Sequence, residues 1–229
     1  MRPVSKWRGA NGSLATATVC KAGLPFYLGT GLIALSQYAE RFLIIDLEPY
    51  ASLGKYVYAW SAANTLQALS YAVVAVVGIP VLAKRFQADQ QPFTVRQLFV
   101  NKWVMRSLVV SAAVAVMIYL FFNVLLDYVG AAVPRPDNAI LGVLIFSFAL
   151  RAIGDIVWGG LIASKNSRVS LASAVICLLV SVPVSYLLIK HYSIYGAAWG
   201  NVFAIIVQLG VIALLTRMTG AKKAALSWA

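Results

Sequence analysis

Residues 139–163, AILGVLIFSFALRAIGDIVWGGLIA, constrain the fold more than any other stretch of the chain. As a helix rising about 1.5 Å per residue they are long enough to cross a bilayer core of roughly 30 Å. Yet Arg151 stands at the middle and Asp155 four positions on, so both side chains project from one helix face about a turn apart. Arg and Asp near the centre of a span oppose insertion by roughly 5 to 7 kcal/mol together, and the thirteen Leu, Ile, Val and Phe residues here favour it by about 4 to 8 kcal/mol. The balance is close to zero. Such a span has to turn its charged face into a helix bundle or a wet cavity, because lipid leaves both charges unsolvated.

Similar apolar runs recur along the chain. Of 229 residues 61% are hydrophobic and 11% charged, against about a quarter charged in soluble domains, which points to an all-α integral membrane protein. A bundle of six transmembrane helices is expected, at about residues 24–45, 57–83, 107–129, 139–163, 169–189 and 194–215, in one domain over 24–216. Residues 1–23 begin with Arg2, Lys6 and Arg8 like a signal peptide but hold no continuous apolar core, so they read as a basic cytoplasmic lead-in. Pro25 is expected in the first turn of the first span, where proline is tolerated. In residues 93–106, Val95, Leu98, Phe99 and Trp103 recur at helical spacing against Arg96, Lys102 and Arg106, as in a helix lying among lipid headgroups. Residues 217–229 form a basic cytoplasmic tail.

The net charge of +12 is a topology signal. Of nineteen Lys and Arg, fourteen fall in the lead-in, residues 84–106, residues 164–168 and the tail, while only Lys55, Arg135 and Lys190 fall in the alternate loops. By the positive-inside rule the N-terminus and C-terminus are both cytoplasmic. Charge divided among separate loops offers no patch for nucleic acid, and membrane lipids are the partner it implies. Tyr56, Tyr58, Trp60, Tyr128, Tyr192 and Tyr195 gather at the opposite interface as an aromatic belt.

The candidate substrate-binding residues are the polar groups within spans. For Arg151 and Asp155 there are two readings: a cavity in which Arg151 attracts an anionic group and Asp155 holds it or exchanges a proton, or a pair that neutralises itself. The rarity of intramembrane charge favours the first. Glu40 and Arg41, near the end of their span, either join the site or snorkel to the headgroups. Asn64 and Gln67, on one polar stripe with Tyr71, either line the same cavity or hydrogen-bond neighbouring helices. Gly196 and Gly200 form a GxxxG pattern, which predicts close helix packing mildly affected by alanine, and Asn201 beside it is a further candidate contact. His191 has no Cys, second His or carboxylate nearby to complete a metal site, so no metal and no cofactor are expected. Neither a Gly-rich phosphate loop nor a Ser, His, Asp arrangement occurs, which argues against an enzyme.

Residues 23–44 (GLPFYLGTGLIALSQYAERFLI, with an acidic-then-Arg pair at Glu40 and Arg41), 51–60 (ASLGKYVYAW) and 192–201 (YSIYGAAWGN) carry a family likeness. They resemble, in turn, the seventh helix, the Leu-Gly-x-Tyr start of the eighth helix and the Tyr-Gly-x-x-Gly-Ala-Ala turn in the C-terminal half of a Wzx-like polysaccharide flippase. That group lies in the multidrug, oligosaccharidyl-lipid and polysaccharide exporter superfamily. Six spans stand where the family has twelve, and Pro183, Val184 and Ser185 replace an Asn before the last outer turn. The resemblance implies one half of a twelve-helix exporter in the bacterial cytoplasmic (inner) membrane, paired with a second six-helix half or acting as a homo-dimer. It further implies an ion-driven, alternating-access movement of a lipid-linked oligosaccharide or polysaccharide precursor outward. Termini on one side are what a parallel repeat requires, because a following copy then takes the same orientation. A reading of a different class is a non-transporting membrane subunit that docks a partner within a polysaccharide-assembly complex. Saccharide-assembly genes beside this one favour the transporter, and a cavity sealed by apolar side chains favours the subunit.

The topology predicts that Cys20 stays unlabelled by an impermeant thiol reagent in intact cells until the membrane is opened. Lys55→Cys and Arg135→Cys should label at once, and labelling of Cys20 from outside contradicts the orientation.

Overall fold

The computed structural model describes residues 12–73, 78–89, 95, 102–125 and 137–226, and among them the chain is helical with no strand. Helix α1 is Gly12–Leu47, α2 is Tyr50–Val73, α3 is Ile79–Asp89, and α4 is Lys102–Leu120, which runs into a π turn at Phe121–Leu125. Helix α5 is Asn138–Ala163. Helical hydrogen bonding spans Ser167–Leu226, but Ser193 has φ 56° and ψ −140°, so this stretch is two helices, α6 (167–192) and α7 (194–226). Residues 1–11, and most of the amphipathic segment expected over 93–106, lie outside the described residues. The end of that segment, from Lys102 to Arg106, is the start of α4.

Both ends of α5 are held by specific contacts. Asp137 caps its start, with Oδ1 accepting from the Ala139 and Ile140 N–H groups at 2.9 and 3.3 Å. Its Oδ2 accepts from Tyr195 Oη at 2.6 Å, which ties the start of α5 to the start of α7. The Tyr195 hydrogen bond holds the Asp137 carboxyl below the usual carboxylate range. At the other end Lys165 adopts φ 57°, while the Lys165 and Asn166 N–H groups bond back to Ile162 O and Leu161 O, both at 3.0 Å. These two backward bonds close the helix and turn the chain directly into α6.

Helix α5 is the hub of the bundle, packed against α2, α3, α4 and the α6–α7 hairpin, while α1 lies mainly on the hairpin. Its first half, from Ile140 to Phe148, meets Tyr56, Trp60 and Leu66 of α2 together with Ile189 and Ala197 of the hairpin. Its second half, from Ile156 to Leu161, meets Leu82, Val104, Val169 and Ile212. Arg151 and Asp155 lie between these two apolar clusters. Beside its apolar core the bundle buries Glu40, Ser147, Arg151, Ser181 and Asn201, whereas Leu179 is 68% exposed and Val109 and Met117 are each 66% exposed.

Two helical stretches are long and apolar enough to cross a bilayer, Asn138–Ala163 and Ser167–Met218, the second containing α6 and most of α7. Val104–Leu120 is a shorter apolar helix. Gln37, Glu40 and Arg41 lower the apolarity of α1, as Asn64 and Gln67 lower that of α2. The expectation that Pro25 opens the first helix is corrected, because Pro25 lies inside α1. Ala15, Ala17 and Ala22 favour a helix and nothing before the proline stops one, so α1 winds through it.

The turn at Ser193 brings α6 and α7 face to face. A Cβ on Gly196 would run into the Leu188 carbonyl, and one on Gly200 would sit 2.6 Å from Ser185 Oγ. Further along, Cys177 Sγ donates to Ala204 O at 3.4 Å. The close packing expected of the GxxxG pattern is present, but tolerance to alanine is not uniform. At Gly196 the obstacle is backbone, which cannot swing aside, whereas the Ser185 hydroxyl can rotate. Gly196→Ala is therefore expected to cost about 1–3 kcal/mol, as overpacking does, and Gly200→Ala less. Thermal unfolding of the purified protein in detergent checks this, and a Gly196→Ala midpoint equal to the native one contradicts it.

Candidate functional site

Between the two apolar clusters of α5 lies a cavity of about 300 Å³. Four helices each lend it one stripe at intervals of three or four residues: Thr30, Ile33, Ala34, Gln37 and Tyr38 of α1; Gln67 and Tyr71 of α2; Arg151, Gly154, Asp155 and Trp158 of α5; and Ile205 and Gln208 of α7. This helical periodicity is what lets distant segments face one space. A Cβ on Gly154 would meet nothing within 4 Å, so glycine there leaves the cavity wall open.

Arg151 dominates the electrostatics. It is 6% exposed, its Cζ lies 5.9 Å from the Phe148 ring centroid, and its buried Nη1 has no hydrogen-bond partner. Asp155 and Glu40 are the carboxylates whose charge acts on the guanidinium. An unpartnered N–H on a buried cation carries a desolvation cost that an incoming acceptor relieves. Asp155 shares the cavity wall and is half-buried.

Glu40 is held differently. It is 2% exposed and does not line the cavity. Its Oε2 accepts from Tyr56 Oη at 2.6 Å and from Asn201 Nδ2 at 3.2 Å, and Asn201 Oδ1 accepts from Ser147 Oγ at 2.9 Å. One buried chain of polar groups thus joins α1, α2, α5 and α7. Arg41 turns away from its neighbour and stacks on two rings, 4.0 Å from the Trp60 centroid and 4.6 Å from that of Tyr38. Glu40 is buried, and Arg41 is partly exposed beside those rings.

Of the seven candidate residues, the cavity brings together Arg151, Asp155 and Gln67, while Glu40, Arg41, Asn64 and Asn201 do not line it. Glu40 and Asn201 belong to the neighbouring network, and Asn64 is half-buried on α2. Gln37, Tyr38, Trp158 and Gln208 are lining residues absent from the candidates. Gln208 was discoverable: it stands seven positions after Asn201, two helical turns along one face. Tyr56 and Ser147 complete the Glu40 network from sequence positions with no such signal. Among the described residues no group of three or more metal-ligating side chains comes together.

Chemically, the cavity offers one guanidinium for an anion, the amides of Gln37, Gln67 and Gln208 for hydroxyl groups, and the rings of Tyr38, Tyr71 and Trp158 as apolar faces. Against known protein families, curated proteins and solved structures, the chain has no match.

The network predicts an asymmetry between two amides. Asn201→Ala strands Ser147 Oγ and removes a donor from Glu40, so it should cost about 1–3 kcal/mol. Gln208→Ala borders the cavity, where water can replace the amide, and should be near neutral. Unfolding midpoints that rank the two variants the other way contradict this assignment.

Proposed function

We propose that this chain is one half of a membrane transporter that moves a lipid-linked oligosaccharide or polysaccharide precursor across the bacterial cytoplasmic membrane by alternating access. In this reading six helical spans cross the bilayer with both termini cytoplasmic: α1, α2 with α3, α4, α5, α6 and α7. A second six-helix half, or a second copy of the chain, completes the pathway. The observation that carries the reading is Arg151, a buried guanidinium with an unpartnered Nη1 on the wall of a cavity that also holds Asp155 and three glutamines. The many exposed apolar side chains support the membrane setting, since soluble surfaces rarely expose broad apolar areas.

The size and position of the cavity fit a half-transporter. At about 300 Å³ it lies at the small end of ligand pockets, roughly 300–1,000 Å³. It has room for an anionic group and a neighbouring sugar, and a longer saccharide needs space enclosed with a second half. The lining runs along α5 from Arg151 to Trp158, toward the end that the charge bias puts in the cytoplasm. An outward-moving substrate loads from that side. The wall is largely apolar, and the charged and amide groups set into it, Arg151, Asp155, Gln37, Gln67 and Gln208, are what favours a transporter over a docking subunit. Resemblance to Wzx-like flippases supplies the substrate class, and the cavity's cation and amides are consistent with a phosphate-linked sugar.

Arg151→Gln should abolish translocation while leaving membrane insertion intact, because glutamine removes the charge and is easier to insert. Arg151→Lys should fall between Arg151→Gln and native, since an ammonium lacks the planar fork that grips phosphate oxygens in pairs. Exchange of the pair, Arg151→Asp with Asp155→Arg, moves the positive charge by about a turn, roughly 6 Å along the helix. The exchanged protein should fold and fail to transport in vesicles that contain both halves. Full transport by it rules out Arg151 as the anion site.

A further inference from the structure

We propose that Glu40 is a proton-holding group whose ionisation sets how tightly the Arg151 cavity holds an anion. The inference rests on the reading of Arg151 as an anion site and adds a control to it. Glu40 is buried off the cavity wall yet close enough for its charge to act on Arg151. The two groups are therefore coupled through space without sharing a ligand.

The groups around Glu40 decide which cation it takes. Tyr56 Oη and Asn201 Nδ2 both donate to Oε2, at 2.6 and 3.2 Å. The oxygen of Asn201 is engaged by Ser147 at 2.9 Å and is not turned toward the carboxyl. A metal cation needs several oxygen acceptors around it, and this carboxyl is surrounded by donors. A proton needs only one carboxyl oxygen, and both of these donors fall on Oε2.

The charged and titratable neighbours set the sign of the coupling. Tyr56 faces Glu40 from α2 and Arg151 acts on it from α5, while Arg41, on its own helix, is held on the rings of Tyr38 and Trp60. Arg151 in turn feels Asp155, Glu40, Cys177 and Tyr56. When Glu40 is ionised, two carboxylates share the guanidinium and an arriving anion is opposed by both. When Glu40 carries a proton, one of these repulsions is gone, and in a low-dielectric interior that difference is large. Proton and anion then favour each other's binding, and the linkage is reciprocal. Asp155 is less suited to this role because it borders the cavity itself, where an anion or water meets it directly.

The test is binding of radiolabelled sulfate, whose charge is constant across neutral pH, to the full chain in lipid nanodiscs. Native affinity should fall about tenfold between mildly acidic and mildly alkaline pH, within the usual range of site-to-site coupling. Glu40→Gln should bind at the tight limit throughout, with a flat profile, whereas Asp155→Asn should keep the pH dependence. Tyr56→Phe, which removes the nearest donor to the ionised carboxylate, should move the fall to higher pH. Either a native-like profile in Glu40→Gln or a flat one in the native protein overturns the proposal. Should Glu40→Gln not fold, an unmoved profile in Tyr56→Phe overturns it alone. Sulfate binding that survives Arg151→Gln, or is absent from the native protein, defeats the anion-site reading instead, so the two failures are distinct.

Discussion

Burying a guanidinium in the middle of a long apolar helix is the interaction on which the rest of this structure depends. An isolated buried cation costs several kcal/mol even after relaxation, and a carboxylate one turn away offsets part of that. The surroundings of Arg151 supply further compensation in layers: Asp155 on its own helix, Glu40 from α1 through the electric field, and a cavity in which its unpartnered N–H can donate to a ligand. Apolar clusters close the space along α5 on both sides. Removing either the charge or the clusters leaves the other without purpose.

The hub position of α5 follows from the same constraint. A helix with one charged face and a predominantly apolar remainder is covered most fully when other helices surround it, and α2, α3, α4 and the α6–α7 hairpin do so. The hairpin is tight because Gly196 and Gly200 remove the side chains that would hold its arms apart. That closeness brings Asn201 to Glu40 and Ser147, so small residues in one element set the geometry of a polar network in three others.

Much of the fold was legible in the sequence because helices state themselves locally. The central helix, read as 139–163, is observed as Asn138–Ala163, since Asp137 caps its start and the polar run after Ala163 ends it. The turn between the last two helices, read at residues 190–193, is observed at Ser193. Pro25 misled, because proline's preference for a first turn is only a tendency and the residues before it also favour a helix. In the site, Arg151 and Asp155 were legible from their spacing and Gln67 from its stripe. The separation of Glu40 and Asn201 from the cavity was not, because it depends on the register between α1, α2 and α7, which no single helix encodes. The cost of alanine at Gly196 was hidden likewise, since it arises from a carbonyl eight residues away across a turn.

The central claim is that the Arg151 guanidinium receives the anionic group of a substrate. The most direct measurement is the nitrogen–phosphorus dipolar coupling by solid-state NMR, with arginine-labelled protein in phosphorus-free detergent and a short prenyl diphosphate as probe. The account predicts a strong coupling to one guanidinium that disappears when Arg151 is replaced by Gln. A coupling that persists in that variant, or bound diphosphate with no guanidinium in contact, contradicts it.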